Sequence, residues 1–199
     1  MPEALVVVDV QRDFCPGGAL AVPDGDAVVP AVNRLLEAAS LAVLTQDWHP
    51  ADHVSFHVSH RGTAPYETIS TGHGEQVLWP VHCVGGTPGA DFHPLLASHR
   101  AALVLRKGLR RDVDSYSAFV ENDRVSTTGL DGFLRARGID ALAVVGLALD
   151  YCVARTALDA AALGYRVRVV ESACRAIDRD GSGTAARRAL DAAGVIVEP

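Results

Sequence analysis

The feature that most limits what this chain can become is a series of short apolar runs, rich in valine and leucine, spread along its length. They lie at Ala4–Val8, Leu41–Thr45, Ala101–Leu105, Asp140–Val145, Arg166–Val170 and Val195–Val197. Each has strand length, and most show no polar alternation, the pattern of strands buried on both faces. Between them fall stretches of helical period: much of Ala27–Ala39, then Leu130–Arg137, Tyr151–Leu163, and a last one from Gly183 or Thr184 to Ala193. Asp24 to Asp26 offer a turn and a cap before the first of these. Gly138, Gly164 and Gly194 each stand directly after one of the others, where a left-handed residue ends a helix. This alternation predicts an α/β fold: a mostly parallel, about six-stranded sheet with helices on both faces, a three-layer α/β/α sandwich. A chain of 199 residues suits one domain spanning 1–199. No GxGxxG follows the first strand, which runs instead into Asp9-Val10-Gln11-Arg12-Asp13-Phe14, so nothing specific marks a dinucleotide site.

The segment from Ala141 to Gly164 carries a strand, an interruption at Gly146, and a helix with Val153, Thr156, Ala157, Ala160 and Ala161 on one face. Asp150 stands where an N-cap is wanted, and Cys152 follows it into the first turn. Unpaired amides there stabilise a thiolate and can receive the oxyanion formed when it attacks a carbonyl. From this segment alone, a small buried thiol filling the helix–sheet interface is an equal alternative.

Asp9 and Lys107 also follow the ends of apolar runs. In a parallel sheet those ends share one edge, so Asp9, Lys107 and Cys152 can meet despite their separation in sequence. A carboxylate beside a thiol can take its proton, and a neighbouring ammonium keeps that carboxylate ionised. Taken singly, a surface cation and a loop-fixing carboxylate are the simpler readings; the shared position at strand ends favours a site.

Between the second and third runs, Gln46 to Arg100 shows no clean helical or strand period, yet it holds all eight histidines. So long a connection in a compact chain is functional or disordered. Trp48, Phe56, Tyr66, Trp79 and Phe92 argue against disorder and for the walls of a pocket or anchors to the core. Asp47 and His49 project to one side of an extended segment, and with His82 they form an oxygen-and-imidazole set suited to a divalent ion. His53 and His57 are further candidates, as ligands or as groups around them. A polar loop whose histidines bind backbone is the competing reading.

Composition removes other classes. Eighteen Lys+Arg against 24 Asp+Glu give a net charge of −6, unsuited to nucleic acid or an anionic membrane. No run has spanning length and no signal peptide is evident, which sets the expectation of a cytoplasmic protein. Cys15, Cys83, Cys152 and Cys174 are widely spaced, so reduced thiols are expected. Cys83 and Cys174 read as inert, and Cys15 as a thiol near the site open to adventitious reaction. The basic stretch Arg106–Asp112 reads as a solvated loop, and Asp180-Gly181-Ser182-Gly183 as a turn into a helix.

The motifs VVVDVQRDFCPGGAL (Val6–Leu20), TQDWHPADHVSF (Thr45–Phe56), WPVHCVGGTPGADFHP (Trp79–Pro94), RKG (Arg106–Gly108), DSYSAF (Asp114–Phe119) and VVGLALDYCV (Val144–Val153) run in order along the chain. Together they resemble the nicotinamidase/pyrazinamidase family of the isochorismatase-like cysteine hydrolases, over essentially the whole length. The DWHP and WPVHC blocks resemble the metal-binding amidase branch in particular. The resemblance implies an isochorismatase-like fold in which 46–100 is a long metal- and substrate-binding insertion. It implies Asp9, Lys107 and Cys152 as the catalytic triad, and the amides of Ala148 and Cys152 as an oxyanion hole beside a cis Leu147–Ala148 peptide. It also implies Phe14, Trp79 and Tyr116 around the substrate ring, and Asp47, His49 and His82 as metal ligands with His53 as a fourth candidate. Leu149 stands where relatives often have Thr, and Tyr151 where they vary between His and Tyr; both departures bear on substrate preference.

The activity so implied is hydrolysis of nicotinamide to nicotinate and ammonia through a cysteine thioester, with pyrazinamide as a second substrate. One divalent metal ion is implied, Zn²⁺ first and Fe²⁺ or Mn²⁺ as alternatives. The expected partner is the small-molecule substrate, with neither nucleic acid nor membrane, and self-association into a homo-oligomer is open. The alternative within enzymes is another small-amide or N-carbamoyl hydrolase; the alternative outside them is a metal-stabilised binding protein.

Overall fold

A computed structural model describes residues 2–199. The strands are β1 (Glu3–Val8), β2 (Ala42–Asp47), β3 (Thr68–Thr71), β4 (Gly74–Val77), β5 (Leu103–Lys107), β6 (Ala141–Leu147), β7 (Arg166–Arg175) and β8 (Ile196–Glu198). The helices are α1 (Val29–Ala38), α2 (Leu130–Arg135), α3 (Ala154–Ala162) and α4 (Ser182–Ala192). Six strands form one sheet in the order β5-β2-β1-β6-β7-β8, and every pairing within it is parallel. The helices pack around it as an α/β sandwich, the architecture that the alternating runs predict.

The central strands form where the apolar runs are longest. All residues of β2 and β6 are buried, and so is β1 after Glu3. α1 turns Val29, Val32 and Leu36 inward, and Pro30 sits in its first turn, where no amide hydrogen is missed. Burying such side chains contributes roughly 1.5–3 kcal/mol each. Gly138, Gly164 and Gly194 all have positive φ, as the punctuation of the sequence requires.

Three expectations are corrected. Neither Asp24 nor Asp26 caps a helix through its side chain: Asp24 is left-handed at the head of a 3-10 turn and its carboxylate makes no cap bond. Asp150 is not a cap for its own helix either, because the chain from Leu149 to Val153 is a π-turn whose N-cap is Ala148. Its carboxylate instead accepts from the amides of Ile177 (3.0 Å) and Asp178 (2.8 Å) and the hydroxyl of Ser182 (2.6 Å), fastening the loop before α4. Finally, the insertion is not free of strands. It contains the antiparallel hairpin β3–β4, whose single fully buried side chain is Gln76.

At the far end of β6 the register breaks: β6 advances from Val144 to Gly146 while β7 advances from Val169 to Cys174. Gly146 is needed there, since its φ is 115° and a Cβ would lie 2.1 Å from Val8 O. The bulge lets β6 run on to Leu147, so that Asp9, Asp47, Lys107 and Ala148 all lie at the carboxyl ends of adjacent strands.

Candidate active site

Lys107 is the centre of the strand-end cluster. It is buried, and its Nζ donates to Asp47 Oδ1 (2.5 Å), Ser115 O (2.8 Å) and Cys152 Sγ (3.4 Å). Asp9 Oδ2 lies 2.9 Å from the same nitrogen. The ammonium thus pairs with both carboxylates, and Asp9 stands closer to it than the Cys152 sulfur does. Beyond that ion pair, Asp9 Oδ2 has no further hydrogen-bond partner among the described residues. The other oxygen, Oδ1, accepts the Thr45 hydroxyl at 2.6 Å. One atom each from Asp9, Asp47 and Cys152 lie within 4.8 Å of one another.

Burial dominates the electrostatics. It pushes the Asp9 carboxyl up to about 6, with Lys107 pulling the other way. It drives the Cys152 thiol well above its ordinary value, again against Lys107. For Lys107, burial favours loss of the proton, but Asp47 and Asp9 outweigh it and hold the ammonium charged. Burial likewise opposes ionisation of Asp47, and Lys107 foremost outweighs it, keeping that carboxylate well below the usual range. Burial thus favours the neutral thiol of Cys152, while the neighbouring charges favour the ammonium of Lys107 and the carboxylate of Asp47.

Beside it, His49 Nε2 and His82 Nε2 lie 3.6 and 4.0 Å from Asp47 Oδ2, too far for strong hydrogen bonds. Two ligand atoms about 2.1 Å from one ion stand roughly 3–3.5 Å apart, so the spacing fits shared coordination with modest contraction. The tautomers agree. His49 Nδ1 faces Gly108 O at 2.9 Å and His82 Nδ1 faces Pro80 O at 2.7 Å; a carbonyl only accepts, so each Nδ1 carries the hydrogen and each Nε2 presents a lone pair. One carboxylate oxygen and two imidazole nitrogens converge, a donor set that a divalent cation takes.

His53 differs from these two. It stacks on His49 with ring centroids 4.1 Å apart, Ser55 N donates to its Nδ1, and its Nε2 faces Val113 O. The structure groups it with His49 and Asp114, not with Asp47 and His82. His57, the further candidate, belongs to neither group. Cys15 is buried, and burial with Asp26 nearby pushes it up to about 11, so the expectation of an adventitiously reactive thiol is corrected. Arg106, in the stretch expected to be a solvated basic loop, lies 3.6 Å over the Trp48 ring, while Lys107 beside it is buried.

Above the cluster is a narrow cavity walled by Phe14, Trp79, Tyr116, Tyr151 and Ile177, with Asp47, His82, Ala148 and Cys152 also on its lining. Trp79 Nε1 donates to Tyr116 OH at 3.1 Å, and the Tyr151 ring meets Trp79 edge-on at 4.8 Å. The Leu147–Ala148 peptide is cis, as the resemblance implies. The sequence alone does not single out Thr45 or Ile177 for the site; a hydroxyl at the end of an apolar run is the one signal that marks Thr45.

Residues 3–198 match the isochorismatase domain. The chain is 50% identical over 192 residues to the nicotinamidase of Acinetobacter baylyi, covering 96% of this chain and 90% of that protein. The chain belongs to the isochorismatase family, in its nicotinamidase branch. A solved nicotinamidase/pyrazinamidase from Acinetobacter baumanii superposes with a TM-score of 0.97 at 50% identity, covering 98% of this chain and 95% of that one. The pyrazinamidase of Pyrococcus horikoshii, solved in complex with zinc, superposes with a TM-score of 0.78 at 36% identity, covering 99% and 98%. Within the isochorismatase family, this chain thus groups with amidases. No helix among the described residues is long and apolar enough to cross a membrane.

Proposed function

We propose that this nicotinamidase hydrolyses nicotinamide to nicotinate and ammonia through a thioester on Cys152, and accepts pyrazinamide by the same route. The observation that carries the reading is the meeting of Cys152 Sγ, Lys107 Nζ and Asp9 at one end of the sheet, beside the donors of Asp47, His49 and His82 and under an aromatic cavity.

Cys152 starts as a neutral thiol because burial disfavours the thiolate. As Sγ attacks the amide carbon, the S–H bond breaks and its proton goes to Asp9 Oδ2. The amides of Ala148 and Cys152 receive the oxyanion. Collapse of the tetrahedral adduct returns the proton to the departing nitrogen and releases ammonia. Water then attacks the thioester, giving a proton to Asp9; as the C–S bond breaks, Sγ is reprotonated and the acid leaves. Lys107 stays charged throughout, holding the sulfur and both carboxylates. Phe14, Trp79 and Tyr116 hold the flat ring and exclude water from the reacting carbon.

Asp47, His49 and His82 would hold one divalent ion, and zinc is our reading because two imidazoles and one carboxylate suit it and a zinc-bound pyrazinamidase shares the fold. Bound there, such an ion would supply a Lewis-acid centre for a ring nitrogen of the substrate. His53 serves as the ring against which His49 is stacked.

The test is ammonia release from nicotinamide by the purified protein, before and after chelation and on adding back zinc, iron(II) or manganese(II). N-carbamoylsarcosine serves as the comparison substrate. Turnover of nicotinamide alone, lost on chelation and best restored by zinc, is expected; preferential turnover of the carbamoyl compound overturns the substrate assignment.

A further inference from the structure

Thr45 ends the apolar run of β2 and is fully buried, yet it carries a hydroxyl. That hydroxyl is used twice by one residue. Asp9 N donates to Thr45 Oγ1 at 3.2 Å, and Thr45 Oγ1 donates to Asp9 Oδ1 at 2.6 Å. Asp9 is itself in an uncommon conformation, with φ 48°, directly after β1. The parallel register that pairs Val7 with Leu44 brings Thr45 level with the start of this turn. Thr45 thus holds both the main chain and the side chain of Asp9.

The two oxygens of Asp9 are consequently unlike. Oδ1 is occupied by the Thr45 hydroxyl. Oδ2 is ion-paired with Lys107 Nζ at 2.9 Å and has no other partner among the described residues. It is the oxygen on the Lys107 side, beside a nitrogen that also touches Cys152 Sγ. From this asymmetry we infer that Thr45 is a positioning residue for the hydrolysis: it locks the Asp9 carboxylate so that Oδ2, and not Oδ1, takes the Cys152 proton.

The inference rests on the reading of Asp9 as the proton acceptor. In the transfer, the S–H bond of Cys152 breaks, an O–H bond forms at Asp9 Oδ2, and the sulfur electron pair forms the bond to the amide carbon. A carboxylate free to rotate about its side-chain bonds presents the accepting oxygen at the right distance and angle for only part of the time. Misplacement on the scale of 1 Å costs about 100-fold in rate. Thr45 is absent from the cavity lining, so its loss leaves substrate binding alone.

The experiment compares Thr45→Val, Thr45→Ala and Thr45→Ser in the full chain with its metal bound, measuring kcat and KM for nicotinamide, metal content and thermal unfolding. Thr45→Val keeps the shape and removes both hydrogen bonds; Thr45→Ser keeps the hydroxyl. We expect kcat to fall by about 100-fold in Thr45→Val and Thr45→Ala, with KM and metal content unchanged, and Thr45→Ser to restore kcat. Folded Thr45→Val with wild-type kcat overturns the inference, and so does a Thr45→Ser as slow as Thr45→Val. Should Val and Ala both fail to give folded protein while Ser is fully active, the hydroxyl is structural and the inference is likewise overturned. Asp9→Asn separates the layers: an active Asp9→Asn removes the proton-acceptor reading itself, whereas an inactive one beside a normal Thr45→Val removes only the positioning role.

Discussion

The imidazole of His49 lies so close to Gly108 that a Cβ built on residue 108 would stand 2.3 Å from His49 Cε1, while Gly108 O accepts the His49 Nδ1 hydrogen at 2.9 Å. The glycine has φ 65°, so its backbone is also one that side chains resist. Gly108→Ala is therefore expected to displace His49 and lower metal occupancy. Metal analysis after dialysis checks this, and full occupancy in a folded variant contradicts it.

Removing the donors themselves should act more simply. Asp47→Ala, His49→Ala and His82→Ala are each expected to lose the ion and with it nicotinamide turnover, whereas Cys152→Ala keeps the ion and loses turnover. Losing a direct ligand costs at least the roughly 10–100-fold in affinity typical of mutating an outer partner. Competition with a chelator of known affinity reads the change.

Lys107→Met places an uncharged chain of similar length between two buried carboxylates. Taking one partner from a buried ion pair costs roughly 3–5 kcal/mol. We expect a loss of that order in denaturant unfolding, together with loss of turnover. An unchanged unfolding midpoint contradicts the central place given to Lys107.

In the proposed reaction Asp9 must be ionised to accept a proton, and burial raises its carboxyl to about 6. kcat/KM for nicotinamide is accordingly expected to fall as pH drops through about 6. Stability has the opposite sign. The folded carboxyl binds its proton more tightly than the unfolded one, so this group's contribution is complete below the ordinary value of 3.8 and is lost as pH rises through about 6. Unfolding of wild type and Asp9→Asn over that range checks it: wild type loses stability relative to the variant as pH rises.

Asp150 holds Ile177, Asp178 and Ser182 with one carboxylate, and Ile177 borders the cavity. Asp150→Ala leaves two amides and a hydroxyl without that acceptor, at about 1–3 kcal/mol for each one that stays buried. It is expected to raise KM for nicotinamide more than it lowers kcat, which steady-state kinetics resolves.

Much of this arrangement was legible before any coordinates. Valine-rich runs mark β1, β2 and β6 because strands buried on both faces need no alternation, and the ends of those runs bring Asp9, Asp47 and the approach to Cys152 to one edge. Lys107 was harder: β5 is an edge strand with Val104 exposed, so its limits shifted by two residues from the apolar run. Which histidines share a point with Asp47 depends on how an irregular loop folds back, and spacing alone does not separate His82 from His53 or His57. Thr45 was hidden because its role exists only across the β1–β2 register. Asp150 looked like a cap because a π-turn and an α-helical first turn have the same local sequence.

The β3–β4 hairpin escaped notice because its pattern is almost wholly polar; Gln76 alone is buried, with its Nε2 donating to Asp114 Oδ2 at 2.9 Å. A ribbon anchored at its base by Gln76 and Val77 leaves its Gly72–His73 tip clear of the cavity. Its outer face is thus the part of the molecule freest to drift, and the natural place to graft a tag or a foreign loop.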